Sequence, residues 1–311
     1  MSRRTQALRE LLSREAAHRR LVITGHDNPD VDSVISCVLM QRLLAAWQIN
    51  ARIVLTTPAD RQSQRVMARF GFCMDDWLGE TEEEDGLILV DHHQPLHAGV
   101  VLACVDHHGT PCPPQYPYTQ IEACGACAAM VLRLMQEAEA PVSDEDMTLA
   151  VTALYLDTIA LRSTKVLADE VVWAKAQVKC LGMDEGWLLG EGMKLEDMTL
   201  STQELARRGR KTYRYGDRTV ISTYVQTDAM TPGRLSAILD VIHEEIQREK
   251  AVLWVFLVHD PIGQRTMEYD VSADGGVCVI DHGCLASRGK DVMPRVEQMI
   301  RKAEEHNGGI S

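Results

Sequence analysis

Histidine and aspartate crowd three short stretches of this 311-residue chain. "GHDNPDVDS" (Gly25 to Ser33) carries His26, Asp30 and Asp32, "DHHQ" begins at Asp91 with His92 and His93 behind it, and "DHHG" runs Asp106, His107, His108. A fourth carboxylate, Asp157, stands inside the apolar segment "MTLAVTALYLDTIAL". Burying it without a partner would be costly, so it should have one. Imidazole nitrogen together with carboxylate oxygen suits manganese, cobalt, iron or magnesium better than the thiolate-rich sets that select structural zinc. His26, Asp30, Asp32, Asp91, His107 and Asp157 could hold two such ions if one carboxylate bridges them. Two ions about 4 Å apart acidify a bridging water and clamp phosphoryl oxygens during in-line attack. Hydrolysis of a phosphate ester or phosphoanhydride follows from that chemistry.

The elements that must position these groups are short, apolar and β-branched: "LVIT", "ARIVL", "LILVD" and "VLACVD", with helical patterns such as "SVISCVLMQRLLAAWQ" in some of the intervals. This alternation predicts an α/β fold, a mainly parallel sheet flanked by helices. Ligands in such folds bind beyond the carboxyl ends of the strands, and each His/Asp cluster directly follows one of these runs. From Ser143 to Leu181 the pattern is helical, with "SDED" as cap and acidic first turn. Beyond the glycine-bearing stretch "GEGMKLEDMT" the texture changes to strand-like "KTYRY" and "TVISTYV", a helix near "GRLSAILDVIHEEIQRE", then "AVLWVFLVHD", "MEYDVSA" and "VCVID". The expected organisation is a catalytic domain over 1–190, a linker over 191–200 and a smaller α+β domain over 201–311.

Composition narrows the classes. A net charge of -13 argues against a nucleic-acid surface, which needs a basic stripe to displace counterions. An anionic substrate must therefore be held by metal or by a local cationic site. No apolar run reaches the roughly 20 residues a membrane span requires. The Arg-rich start "MSRRTQALRELLSREAAHRR" includes Glu10 and Glu15 and reads as an ordinary helix rather than a transit peptide. Nine cysteines without a signal peptide indicate reduced thiols and a cytoplasmic location. Cys124 and Cys127 form a lone CxxC in a helical segment, better read as small buried residues than as a zinc or redox site.

"GHDNPDVDS", the two "DHH" clusters and "LYLDT" together resemble the DHH-type phosphoesterases, within the branch holding the manganese-dependent family II inorganic pyrophosphatases, the exopolyphosphatases and the prune-type proteins. The resemblance spans nearly the whole chain. It implies that His26, Asp30 and Asp91 ligate one ion, and that Asp32, the shared Asp91, His107 and Asp157 ligate another, with Mn2+ expected and Co2+ or Mg2+ possible. It further implies that His108 contacts substrate or protonates the leaving group, with Asp106 supporting it. The smaller domain resembles that branch's phosphate-gripping lid. Lys211 in "GRKTYRY" and Arg288 in "SRGKDVMP" match its substrate-binding residues, and Lys290 is a further candidate. Two departures bear on substrate choice. Gly289 stands where the pyrophosphatases place Lys, and His93 stands where they usually have Asn. The expected activity is hydrolysis of inorganic pyrophosphate or a similarly small phosphoanhydride. The alternatives are exopolyphosphatase or small-nucleotide phosphodiesterase activity, or a metal-binding interaction protein without turnover. The expected partners are a small anionic phosphate and a second copy in a homodimer, with no nucleic acid or membrane.

Overall fold

The structure, a computed structural model, describes residues 2–195 and 198–308. Contacts divide the chain into two compact units. The first comprises Met1–Leu161 with Lys165–Gly192, the second Arg162–Thr164 with Met193–Ser311. Of the expected linker 191–200, Glu196 and Asp197 lie outside the described residues.

The first unit contains strands β1 (Leu21–Thr24), β2 (Ala51–Ile53), β3 (Gly86–Val90), β4 (Val100–Asp106) and β5 (Tyr118–Ile121). Its helices are α1 (Arg3–Glu15), α2 (Val31–Ala46), α3 (Arg61–Arg69), α4 (Cys127–Glu137), α5 (Asp144–Asp157), α6 (Ala168–Cys180) and α7 (Glu185–Gly192). The strands form one sheet in the order β2-β1-β3-β4-β5, every pair parallel. Strand pleating sends alternate residues to opposite faces. Leu21 and Ile23 accordingly join a core with Ile35 and Leu39 of α2 and Met130 of α4, while Val22 joins a smaller cluster with Leu87, Leu89 and Cys104.

Two expectations change, and the reading of the CxxC holds. The edge strand β5 was not anticipated: "YTQI" lacks the apolar run that marks the other strands. The helical stretch over Ser143–Leu181 is broken. α5 ends at Asp157, and Ile159, Ala160 and Leu161 adopt left-handed φ of 51°, 54° and 61° before α6 begins. Cys124 precedes α4 and Cys127 opens it; both are buried, and all nine cysteines are free.

The second unit holds β6 (Lys211–Tyr215), β7 (Arg218–Gln226), β8 (Leu253–Asp260), β9 (Arg265–Ser272) and β10 (Val277–Asp281), with helices α8 (Thr202–Ala206), α9 (Pro232–Arg248) and α10 (Met293–Gly308). Sheet order is β10-β9-β8-β7-β6, antiparallel except for β7 with β8. Period-two patterning on β8 explains the two layers of helix. Trp254, Phe256 and Val258 pack with Ile238, Ile242 and Ile246 of α9, while Leu253, Val255 and Leu257 pack with Val296 and Ile300 of α10. No helix of the described residues is long and apolar enough to cross a membrane.

Candidate metal centre

The first unit gathers His26, Asp30, Asp32, Asp91, His107 and Asp157. His26, Asp30 and Asp91 each offer one ligand atom within 4.8 Å of the others, as do Asp32, His107 and Asp157, and also Asp91, His107 and His108. Asp91 faces both ways: its Oδ2 lies 3.2 Å from His26 Nε2 and its Oδ1 lies 3.1 Å from His107 Nε2.

Local structure fixes each donor. Gly25 follows β1, and a Cβ there would lie 2.0 Å from Ser33 Oγ, so glycine lets the motif fold back on the start of α2 without displacing that hydroxyl. Asp30 is the N-cap of α2; its Oδ1 accepts from the Ser33 amide at 3.1 Å, and its Oδ2 is 3.4 Å from His26 Nε2. Asp32 accepts from the amides of Cys127 at 2.7 Å and Ala128 at 2.8 Å, at the N-terminus of α4, where the helix dipole favours negative charge. Asp91 leaves β3 with φ 60°, a left-handed conformation that aspartate tolerates better than most residues.

The histidine tautomers follow from their partners. His26 Nδ1 donates to the Asp27 carbonyl at 2.8 Å and His107 Nδ1 donates to the Cys124 carbonyl at 3.2 Å. A carbonyl only accepts, so Nδ1 carries a proton in each ring and Nε2, which faces the carboxylates, is the atom that would bind a metal once it is deprotonated. His107 Nε2 is also 3.5 Å from Asp32 Oδ2 and 3.6 Å from Asp157 Oδ2, and it is buried without the alignment of a hydrogen bond to any of them. Adjacent donors on an octahedral ion with bonds of about 2.1 Å sit about 3 Å apart. The donor spacing and the oxygen-rich donor set both fit divalent cations. So does the electrostatics: burial, reinforced by Asp91 and Asp157, pushes the Asp32 carboxyl well above its usual range, a crowding that bound cations would relieve.

Behind this cluster stands Asp106, buried at the end of β4. Its Oδ1 takes the Nδ1 proton of His108 at 2.7 Å and the His108 amide at 3.1 Å, and its Oδ2 takes the Nδ1 proton of His93 at 2.6 Å. Burial alone would raise its pKa, but His108 and His93 outweigh that and hold the carboxyl well below the usual range. The role of His93 as a second ring on Asp106 was open at the level of sequence. His92 turns away, its Nδ1 bonded to the Val90 carbonyl at 3.0 Å.

One residue of the cluster escaped sequence reasoning. The Lys165 ammonium bonds Asp157 Oδ2; Lys165 is buried and Asp157 partly exposed. The left-handed turn at 159–161 returns the chain to this point, and no apolar or motif signal marked Lys165.

Lys211, Arg288 and Lys290 belong to the second unit. Lys211 opens β6, paired with Ser222 of β7. Arg288 starts a π-helical turn (Arg288–Val292) capped by Ser287; its guanidinium bonds the Gly209 carbonyl and lies 5.2 Å from the centre of the Tyr224 ring. Gly209, at φ 57°, has no room for a side chain, since a Cβ would meet the same tyrosine ring at 2.2 Å. Lys290 donates its ammonium to the Thr164 carbonyl at 2.8 Å.

Residues 20–161 match the family described as DHH family, N-terminal domain. This segment is similar to a DHH domain. All of the clustered His and Asp side chains lie within its bounds, whereas Lys165 lies just beyond them. The chain is 27% identical to the probable manganese-dependent inorganic pyrophosphatase of Deinococcus radiodurans, over 48% of this chain and 50% of that protein. It is 24% identical to the counterpart in Lactococcus lactis, over 91% of this chain and 99% of that one. The match thus spans about half the length of the Deinococcus protein and 55% of the similarly named Lactobacillus acidophilus protein. Among solved structures, the putative family II inorganic pyrophosphatase of Methanococcus jannaschii superposes with a TM-score of 0.74 at 20% identity, covering 89% of this chain and 98% of that one. The parallel-sheet unit and the mixed-sheet unit after it therefore share the fold of that protein.

Proposed function

We propose that the chain is a metal-dependent phosphohydrolase whose substrate is a small phosphoanhydride, inorganic pyrophosphate first. The observation that carries this reading is Asp91, one carboxylate with an oxygen toward each of two donor sets. Divalent ions held by His26, Asp30 and Asp91, and by Asp32, Asp91, His107 and Asp157, would supply an acidified water and neutralise developing charge on phosphate. We assign these ions to Mn2+, with Co2+ or Mg2+ as substitutes. The protein's own groups do the rest. Asp106 fixes the His108 ring through Nδ1, leaving Nε2 to contact substrate; burial pushes this ring down to about 4, so near neutral pH Nε2 is a proton acceptor that can relay a proton to the leaving phosphate. Lys211, Arg288 and Lys290 supply the cationic groups that bind and orient phosphate oxygens, Arg288 with the fork geometry suited to two oxygens at once.

A second reading within the same chemistry, a short polyphosphate or a small nucleotide phosphodiester as substrate, draws on His93 at Asp106 and on Gly289 in place of a cation beside Arg288. Phosphate release from pyrophosphate, tripolyphosphate and a dinucleotide, each with Mn2+, separates the two. Failure to turn over any of the three would count decisively against hydrolysis.

A further inference from the structure

The two edges of the second sheet differ in chemistry. β6 forms one edge and carries Lys211 and Arg214; β10 forms the other with Val-Cys-Val-Ile-Asp, without lysine, arginine or proline. Val277 is 41% and Val279 54% exposed, and Cys278 between them is exposed as well. Pairing of β10 with β9 runs from Val277 to Asp281 without a bulge. Charges, prolines and bulges are what normally keep an edge strand from pairing with another chain, and Val277 to Ile280 has none of them. Backbone parity defines what can pair there. His282 donates its N–H to the Thr266 carbonyl at 3.1 Å, and the Gly276 carbonyl accepts from the Ser272 N–H at 2.9 Å. In an antiparallel ladder the residues point their N–H and C=O alternately to one side and the other. Cys278 and Ile280 therefore bond toward β9, while Val277 and Val279 aim theirs outward.

We propose that β10 is a self-association edge: two copies of this chain join antiparallel through β10, with the two-fold axis at Cys278, into one sheet of ten strands, five from each copy. The strand is complementary to itself in this register. Val277 falls opposite Val279 of the second copy, both aim their backbone groups outward, and each of the two such pairs exchanges two hydrogen bonds. The valines of both copies share the face of Tyr269 and Val271, their partners on β9, and so meet as one apolar patch. Asp281 falls opposite Gly275, so no like charges oppose. Moving the axis to Val279 would set Val277 against Asp281 and lose this match. One strand pair is smaller than the roughly 1,600 Å2 of a standard interface, so the dimer is weak and reversible, with a Kd on the order of 10–100 µM. The surface is independent of the metal centre, and its test reads mass rather than turnover.

Analytical ultracentrifugation of the full chain from about 1 to 500 µM, a range that brackets this Kd, tests the proposal together with mild oxidation by copper phenanthroline. The expected result is a monomer–dimer equilibrium across that range and a covalent dimer whose linking peptide, identified by mass spectrometry, joins Cys278 to Cys278. Directly opposed residues of a non-hydrogen-bonded pair lie about 4.5 Å apart at Cα, within disulfide reach. Cys278→Ser should abolish the covalent dimer and keep the reversible one. Val279→Lys and Val277→Lys, each placing a charge on the edge, should weaken association at least about tenfold, whereas Val279→Thr, which keeps a β-branched side chain, should retain it. Both lysines enter at exposed positions, and circular dichroism of the two variants guards against a single misfolded protein. A natural protein that stays monomeric throughout would overturn the proposal. So would a dimer that is unchanged in both lysine variants, or one whose oxidation links cysteines other than Cys278.

Discussion

His108 gives its Nδ1 proton to Asp106 across 2.7 Å, and the other oxygen of that carboxylate takes the corresponding proton of His93 at 2.6 Å. One buried anion thus orients two imidazoles beside the candidate metal donors. Asp106→Asn keeps the volume, but its amide can accept through only one oxygen, so one ring is released. Turnover with Mn2+ should fall about 10- to 100-fold, while Mn2+ affinity measured by calorimetry stays within about threefold. A parallel loss of metal would show that Asp106 serves the integrity of the centre instead.

Asp91→Asn separates ligation from folding. Asparagine accepts the left-handed φ of 60° at this position as readily as aspartate does, so the backbone is undisturbed. The neutral amide should weaken Mn2+ binding by more than about 100-fold, since even the residues supporting ligands are worth 10- to 100-fold. The metal-free protein should melt at a higher temperature than the natural one, because the charge that crowds Asp32 is gone. Thermal melts in chelator, read beside the calorimetry, check both halves.

Arg288 is braced by the Gly209 carbonyl and the Tyr224 ring. Arg288→Ala should raise KM for pyrophosphate about 10- to 100-fold, as expected for loss of a charge-assisted bidentate contact, and leave Mn2+ affinity untouched. Gly209→Ala should have the same kinetic signature and also destabilise the second unit, since its Cβ would displace the tyrosine that braces Arg288.

Asp270 offers a test of the second unit through pH. Burial, with Glu268 beside it, pushes its carboxyl up to about 6 despite the Arg295 guanidinium at 2.9 Å. The folded protein therefore binds a proton that the unfolded chain has already lost near its ordinary value of 3.8. The resulting stability is complete below about pH 4 and is lost as pH rises through 6. Asp270→Asn should melt about 2–4 °C higher than the natural protein at pH 7.5, the shift for ~1 kcal/mol in a domain of this size, and the gain should shrink by pH 5. A difference independent of pH would exclude a titrating Asp270.

The sequence by itself determined the parallel sheet, the placement of the His/Asp clusters at strand ends and the mixed second unit. Each depends on local periodicity: "LVIT" is β1 residue for residue, and "KTYRY" and "VCVID" are β6 and β10. The candidate donors were legible because a motif such as "GHDNPDVDS" is confined to nine neighbouring residues. Tertiary structure decided what depends on contacts remote in the chain. Asp32 rests on the amides of Cys127 and Ala128, 95 and 96 residues away. Strand β5, with alternating rather than continuous burial, is defined by its pairing to β4. Lys165 reaches Asp157 through a left-handed turn that no propensity favours in isoleucine, alanine or leucine. A lone lysine carries no periodic signal, and its meaning arises only where folding places its charge among buried carboxylates.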